Sequence, residues 1–214
     1  MAMLFNYNKE FKNTFELIFN SSIQSDVYLV LDTKDYKFTI NYANDKDLRV
    51  SSVILFSKNN NLTQKQFSIP DYQFVDEILN IIKQNTNVLF IFEDNANIKI
   101  GQIIKRSVHP KSEKLYILDV DFGCYKKTII TNTLYTTENK YFAWYMDGSI
   151  TPSGNIIKQN EVMGVLSEGM LCSIDSLPLN VEDEQCNNNN LLNMPNINQY
   201  LGKNIETIYT ELIT

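Results

Sequence analysis

Ile98-Lys99-Ile100-Gly101-Gln102-Ile103-Ile104 opens the stretch that decides the fold. It runs through Lys105-Arg106 to His109-Pro110, then to Glu113-Lys114-Leu115 and Val120-Asp121-Phe122-Gly123. About forty residues later comes Gly164-Val165-Leu166-Ser167-Glu168-Gly169-Met170-Leu171-Cys172-Ser173. Between and around these lie strand candidates at 98–107, 115–122, 126–131, 140–147 and 160–173, rich in β-branched and aromatic residues. Pro110 fixes φ and lacks an N–H, so it helps end the first strand. Asp121 and Gly123 are placed for a tight turn. Five strands in about 80 residues, with one longer irregular connection at 132–139, suit a five-stranded Greek-key barrel of the OB type. A small SH3-like barrel has a similar composition.

Outward from this stretch the chain changes character. All seven glycines lie at or beyond residue 101, and the first hundred residues contain none, which marks two regions of different architecture. Net charge is −3 over 1–96, +1 over 97–175 and −4 over 176–214, for −6 in all. In the first region 15–19, 27–31, 36–40 and 50–56 read as strands parted by polar turns. Pro70-Asp71 then starts a helix whose face is Phe74, Val75, Ile78, Leu79 and Ile82, and Val88–Phe92 reads as a buried strand. The expected organisation is a small α+β domain at 1–96 and the all-β OB-fold at 97–179. An Asn-rich acidic linker at 180–198 and a C-terminal segment at 199–214 packing on the barrel complete it.

Composition excludes several functions. Apolar residues are 43% and charged residues 21%, and no apolar run approaches a membrane span, so no membrane association is expected. Met1–Glu10 turns polar too soon for a signal peptide, and the chain reads as cytoplasmic. Cys124, Cys172 and Cys186 contain no CxxC, and His109 is the single histidine, which leaves no metal-site pattern. Nucleotide-binding glycine loops and the GxSxG elbow are absent. No cofactor and no catalytic residues are expected, and the chain reads as not an enzyme. The Lys:Arg ratio of 17:2 and abundant Asn reflect codon bias rather than fold.

The five spaced motifs resemble the tRNA-binding domain of CsaA-type proteins and of bacterial phenylalanyl-tRNA synthetase β chains. The whole layout is similar to YtpR-type tRNA-binding proteins. That resemblance implies a non-catalytic protein that recognises tRNA by shape and backbone through its OB-fold. It also implies that Ser167, Gly169 and Met170 belong to the RNA contact surface. The chain departs from the family pattern at Tyr135, where the family has Asn, and at Glu161-Val162-Met163, where the family has basic residues.

Physical chemistry adds further candidates. Lys99, Lys105, Arg106, Lys111, Lys114, Lys126, Lys127 and Lys158 can neutralise phosphates, and Lys99, Lys105, Arg106, Lys126, Lys127 and Lys158 are the nominated set. One member of each adjacent pair is expected to face a binding groove. On Tyr141–Tyr145 one alternating set should be core and the other exposed; Phe142 and Trp144 are placed inside, leaving Tyr145 for stacking. A pI near 4.9 predicts weak, salt-sensitive association. The expected partners are tRNA, an aminoacyl-tRNA synthetase or other translation protein, and a second copy through the OB-fold. The competing reading is a dimeric, chaperone-like interaction module with a degraded RNA surface.

Overall fold

The computed structural model describes residues 2–7, 9–59, 67–70, 72–93, 98–172, 194–205 and 207. They fall into two compact units, one of residues 1–96 with 152–156, the other of 97–151 with 157–214. Among the described residues no helix is long and apolar enough to cross a membrane.

In the first unit, short runs rich in apolar, β-branched and aromatic residues build β1 (Met3–Asn6), β2 (Thr14–Ile18), β3 (Val27–Asp32), β4 (Tyr36–Tyr42), β5 (Val50–Ser57) and β6 (Phe67–Ser68). They form one antiparallel sheet in the order β3-β4-β5-β2-β1-β6. Phe15, Leu17, Phe38, Ile40, Val53 and Leu55 all point to the same face. Helix α1 (Tyr72–Asn85) brings Val75, Ile78 and Ile82 into this core cluster, as the 3–4 spacing of its apolar residues requires. Asp71, expected at the helix start, lies outside the described residues. At the other end Asn85 Nδ2 donates to the Ile81 carbonyl at 2.8 Å, and Lys83 in the last turn opposes the helix dipole.

One expectation here is corrected. Val88–Phe92 is not a buried strand: it makes a single parallel bridge, Ile91 to Arg49, and Leu89 is 88% exposed. Only Phe90 and Phe92 turn inward to the core. Alternate residues of the run therefore face solvent, and an apolar run by itself does not report that.

The second unit contains β7 (Ile98–His109), β8 (Ser112–Asp121), β9 (Lys126–Thr131), β10 (Tyr141–Met146), β11 (Asn160–Val162), β12 (Val165–Ser167) and β13 (Gly169–Leu171). Five of them make an antiparallel sheet in the order β13-β10-β7-β8-β9, which curls until β13 meets β9 in a nearly closed barrel. That order fits the OB-fold. Ile103, Leu118, Val120, Phe122, Ile129, Phe142, Trp144, Met146 and Leu171 fill the interior. Each large apolar chain buried there contributes about 1.5–3 kcal/mol. Gly101 is required by this packing, because a Cβ would lie 2.7 Å from both Phe122 Cε1 and Val120 Cγ1.

Of the expected linker, 180–193 lies outside the described residues. Residues 194–198 do not behave as a linker: they enter a 3₁₀ turn, Ile197–Tyr200, whose Ile197 and Tyr200 are buried. The chain then runs antiparallel to the start of β7. Ile100 N–H donates to the Lys203 carbonyl at 3.0 Å, and Ile205 N–H to the Ile98 carbonyl at 2.8 Å.

Candidate nucleic-acid interface

The motif Ser167-Glu168-Gly169-Met170 sits where the barrel closes, and its side chains do the closing. Glu168 N–H donates to the Thr128 carbonyl at 2.8 Å, and the Glu168 carboxylate accepts the Thr128 N–H at 2.9 Å. The buried Ser167 hydroxyl accepts the Ile130 N–H at 3.1 Å and donates to the Gly169 carbonyl at 3.2 Å. Side chains thus satisfy β9 amides that a full-length neighbouring strand would otherwise satisfy. The expectation that Ser167 belongs to the RNA contact surface is corrected, since its hydroxyl is buried and both donates and accepts within the barrel. Gly169 is equally structural: a Cβ there would meet the Tyr145 carbonyl at 2.7 Å and Ile129 Cδ1 at 3.3 Å. Met170, 37% exposed, remains accessible. Glu168 had no role in the sequence reading. Its signal was an acidic residue inside the motif, which carries no information until β9 is known to lie beside it.

Tyr145 is the second correction. It is fully buried, as are Phe142, Ala143 and Trp144. Trp144 points into the barrel core and donates its Nε1–H to the Gly101 carbonyl at 3.0 Å. Tyr145 lies on the opposite face beside Ile98, its cross-strand partner, and is hydrogen-bonded to the Cys172 thiol. Ile98, Ile100 and Ala143 on that face are buried too. Both faces of β10 are therefore covered from Phe142 to Met146, and the rings of Phe142, Trp144 and Tyr145 are not free to stack on a base. The uninterrupted run Tyr141–Met146 was the available signal, because a strand buried on both faces loses its alternation.

The cations separate by the register of β7, β8 and β9. Lys105 stands opposite Asp119, and Asp121 opposite Lys126. Directly opposed residues share a face, and their neighbours Leu118 and Val120 point into the core, so these four lie on the outer face. Lys105 and Lys126 are exposed there, each with a carboxylate across the strand. Lys127 pairs with Val120 and turns the other way, with its Nζ 3.8 Å from Glu168 Oε1. Arg106 also leaves the outer face: its guanidinium stacks 3.5 Å above the Tyr116 ring, and its backbone N–H donates to Glu138 at 2.9 Å. One member of each pair thus reaches the outer face and the other does not. Lys99 is half-buried, 5.9 Å above the Tyr125 ring, which stacks on Phe122. Burial pushes the Tyr125 phenol above its ordinary value. Lys158 is exposed on the long connection between β10 and β11.

A second cationic feature lies at the tip joining β7 to β8. His109 is buried there; its Nε2–H donates to the Val162 carbonyl at 3.2 Å while Nδ1 accepts the Lys111 N–H at 3.1 Å. The imidazole thus ties the β7–β8 tip to the β11–β12 hairpin. That hairpin turns through Met163 and Gly164, both at positive φ, and Lys111 Nζ lies over Gly164. Lys111 and Lys114 are exposed at this tip, as is Met163 at 51%.

Residues 98–196 match the family described as "Putative tRNA binding domain". A phenylalanine–tRNA ligase beta subunit of Thermotoga maritima is 34% identical over 46% of this chain, and the match covers 13% of that subunit. The "Putative tRNA-binding protein YtpR" of Bacillus subtilis is 26% identical over 60% of this chain and 62% of that protein. A solved structure of a MetRS-related protein from Pyrococcus horikoshii shares 23% identity over 54% of this chain and 93% of that one, at a TM-score of 0.31. Within the second unit, residues 98–196 are similar to a tRNA-binding domain. The chain is similar to these proteins over part of its length, and it spans about an eighth of the synthetase beta subunit it matches.

Proposed function

We propose that the second unit binds tRNA without catalysis, through backbone contacts that follow the shape of the folded RNA rather than its sequence. The observation that carries this reading is the match of the tRNA-binding domain family to the barrel unit. Lys105, Lys126, Lys99, Lys158, Lys111 and Lys114 would supply the phosphate contacts, with Met170 against sugar or base. Asp119 and Asp121 beside Lys105 and Lys126 hold the net charge of that face near zero, which favours weak and strongly salt-sensitive binding. On this reading the protein works in the cytoplasm beside the translation machinery, with a tRNA synthetase as a candidate partner.

The test is equilibrium binding of bulk tRNA, against single-stranded RNA of equal length, across a salt series. Preference for tRNA with a log–log slope of about −2 to −5 is expected. Combined Lys105→Glu and Lys126→Glu should remove about two units of slope, whereas Lys127→Glu should leave the slope unchanged and cost stability. Equal or absent binding of the two RNAs at low salt would end the proposal. A second reading, a protein-interaction module, draws on Met163 and Leu166, both half exposed at the hairpin where the family pattern has basic residues. It predicts a dimer through the barrel that excludes RNA.

A further inference from the structure

Arg106, the cation that leaves the outer face of the barrel, is built to grip an anion. We propose that its guanidinium, laid on the Tyr116 ring, is a preset fork for one phosphate of the bound RNA. That phosphate lies on the opposite face of the β7–β8 arm from Lys105 and Lys126. The inference rests on the reading of the barrel unit as an RNA-binding domain, and it gives that unit a contact that a lysine cannot replace.

The backbone brings the two side chains together. Beyond Gln102 no β10 residue pairs with β7, which runs on with β8 to the tip. An irregularity between Ile103 and Lys105 re-aims the strand there. Ile103 faces the core, Lys105 faces out, and Arg106 comes opposite Leu118 on the core-facing side. Tyr116, two residues from Leu118, shares that face, and Val108 is its directly opposed partner. The Arg106 Cζ then lies 3.5 Å from the centre of the Tyr116 ring, well within cation–π range. Residues 138–140 flank β7 on its other side. Asn139 N–H donates to the Ile103 carbonyl at 2.7 Å, and the Glu138 carboxylate accepts the Arg106 backbone N–H at 2.9 Å.

What the guanidinium lacks is an acceptor. Its Nε–H is shielded from solvent and, among the described residues, has no hydrogen-bond partner. Among those residues no carboxylate lies within ion-pair distance of it either, since Glu138 meets the backbone N–H instead. A buried donor left unpaired costs free energy, so its presence calls for an explanation. A flat, fixed guanidinium with unpaired donors suits the paired oxygens of a phosphate. Stacking has already removed side-chain freedom that binding would otherwise cost. The surroundings suit a nucleotide chain. Val108, 58% exposed on the same face, offers an apolar surface to a ribose. The tip with Lys111 and Lys114 begins three strand residues further on, about 10 Å away.

The test uses the full chain, with tRNA binding read across a salt series and the melting midpoint read beside it. Arg106→Met keeps a long side chain on the Tyr116 ring and removes every donor. It should weaken tRNA binding about tenfold, lower the log–log slope by about one unit, and leave the midpoint unchanged or higher. Arg106→Lys should keep the slope and still bind well below the wild type, because an ammonium supplies charge without the fork. Tyr116→Phe, which keeps the ring face, should bind as the wild type does. Wild-type affinity in Arg106→Met overturns the inference, and so does wild-type affinity in Arg106→Lys. A lowered midpoint in Arg106→Met would make the stack structural and overturns it too. Each of these outcomes leaves the barrel's proposed function standing, whereas a wild type that binds no tRNA ends both.

Discussion

Cys172 shows what a single residue contributes that composition hides. Its thiol is fully buried, and burial raises its pKa well above the usual 9.0 despite hydrogen bonds with Tyr145 that pull the other way. The unfolded thiol ionises first. Stability is therefore complete below about pH 9 and declines as pH rises past it. Urea denaturation between pH 7 and 10.5 should show this loss in the wild type, and Cys172→Ala should reduce it, leaving the part that tyrosines with raised values such as Tyr125 contribute. Cys124, by contrast, is exposed and should react with iodoacetamide in the native protein while Cys172 stays unmodified, as peptide mass mapping would read. Gly202 is a second such residue. It sits at φ +76, and a Cβ would run into the Phe122 carbonyl oxygen. Gly202→Ala should cost about 1–3 kcal/mol. It should also undock the 197–205 segment, read as lost amide protection at Ile100 and Ile205.

The element that matters most is the short strand pair closing the barrel. β12 and β13 have three residues each, too few to complete a ladder along β9. Ser167 and Glu168 fill the gap with side-chain acceptors for the Ile130 and Thr128 amides. Removing either acceptor leaves a shielded N–H unpaired, so Ser167→Ala and Glu168→Ala should each cost about 1–3 kcal/mol. Together they should cost other than the sum, because the two sites are adjacent. Urea midpoints for the two single variants and the double variant would check this, and a loss below about 0.5 kcal/mol for both singles would contradict the closure. The spacing of the Ser-x-Gly-Met motif is thus a requirement of closing this barrel, whatever the barrel binds.

Across the whole molecule, charge is distributed against indiscriminate polyanion binding. The chain is −6 overall, and the outer face of β7–β8–β9 sets Asp119 and Asp121 among its lysines. Replacing both aspartates with asparagine should strengthen tRNA binding, steepen nothing in the tRNA-to-single-strand preference, and raise affinity for any polyanion; heparin competition at two salt concentrations would show it. An unchanged heparin affinity would place the RNA elsewhere on the unit.

The sequence by itself determined the first four strands of the barrel and the order of its motifs, because turn residues and apolar runs act locally; the closing strand expected at 160–173 is instead three short strands, of which only β13 joins the barrel sheet. It also determined the helical face Val75, Ile78 and Ile82, because a 3.6-residue period is written along the chain. Only the tertiary structure decided which candidate residues face outward. Tyr145 is hidden because the second face of β10 is covered. Ser167 is spent because β9 lies beside it, and Lys127 is diverted because Glu168 meets it across forty-one residues of chain. Each outcome depends on a neighbour distant in sequence, and local propensity carries no record of which neighbour that will be.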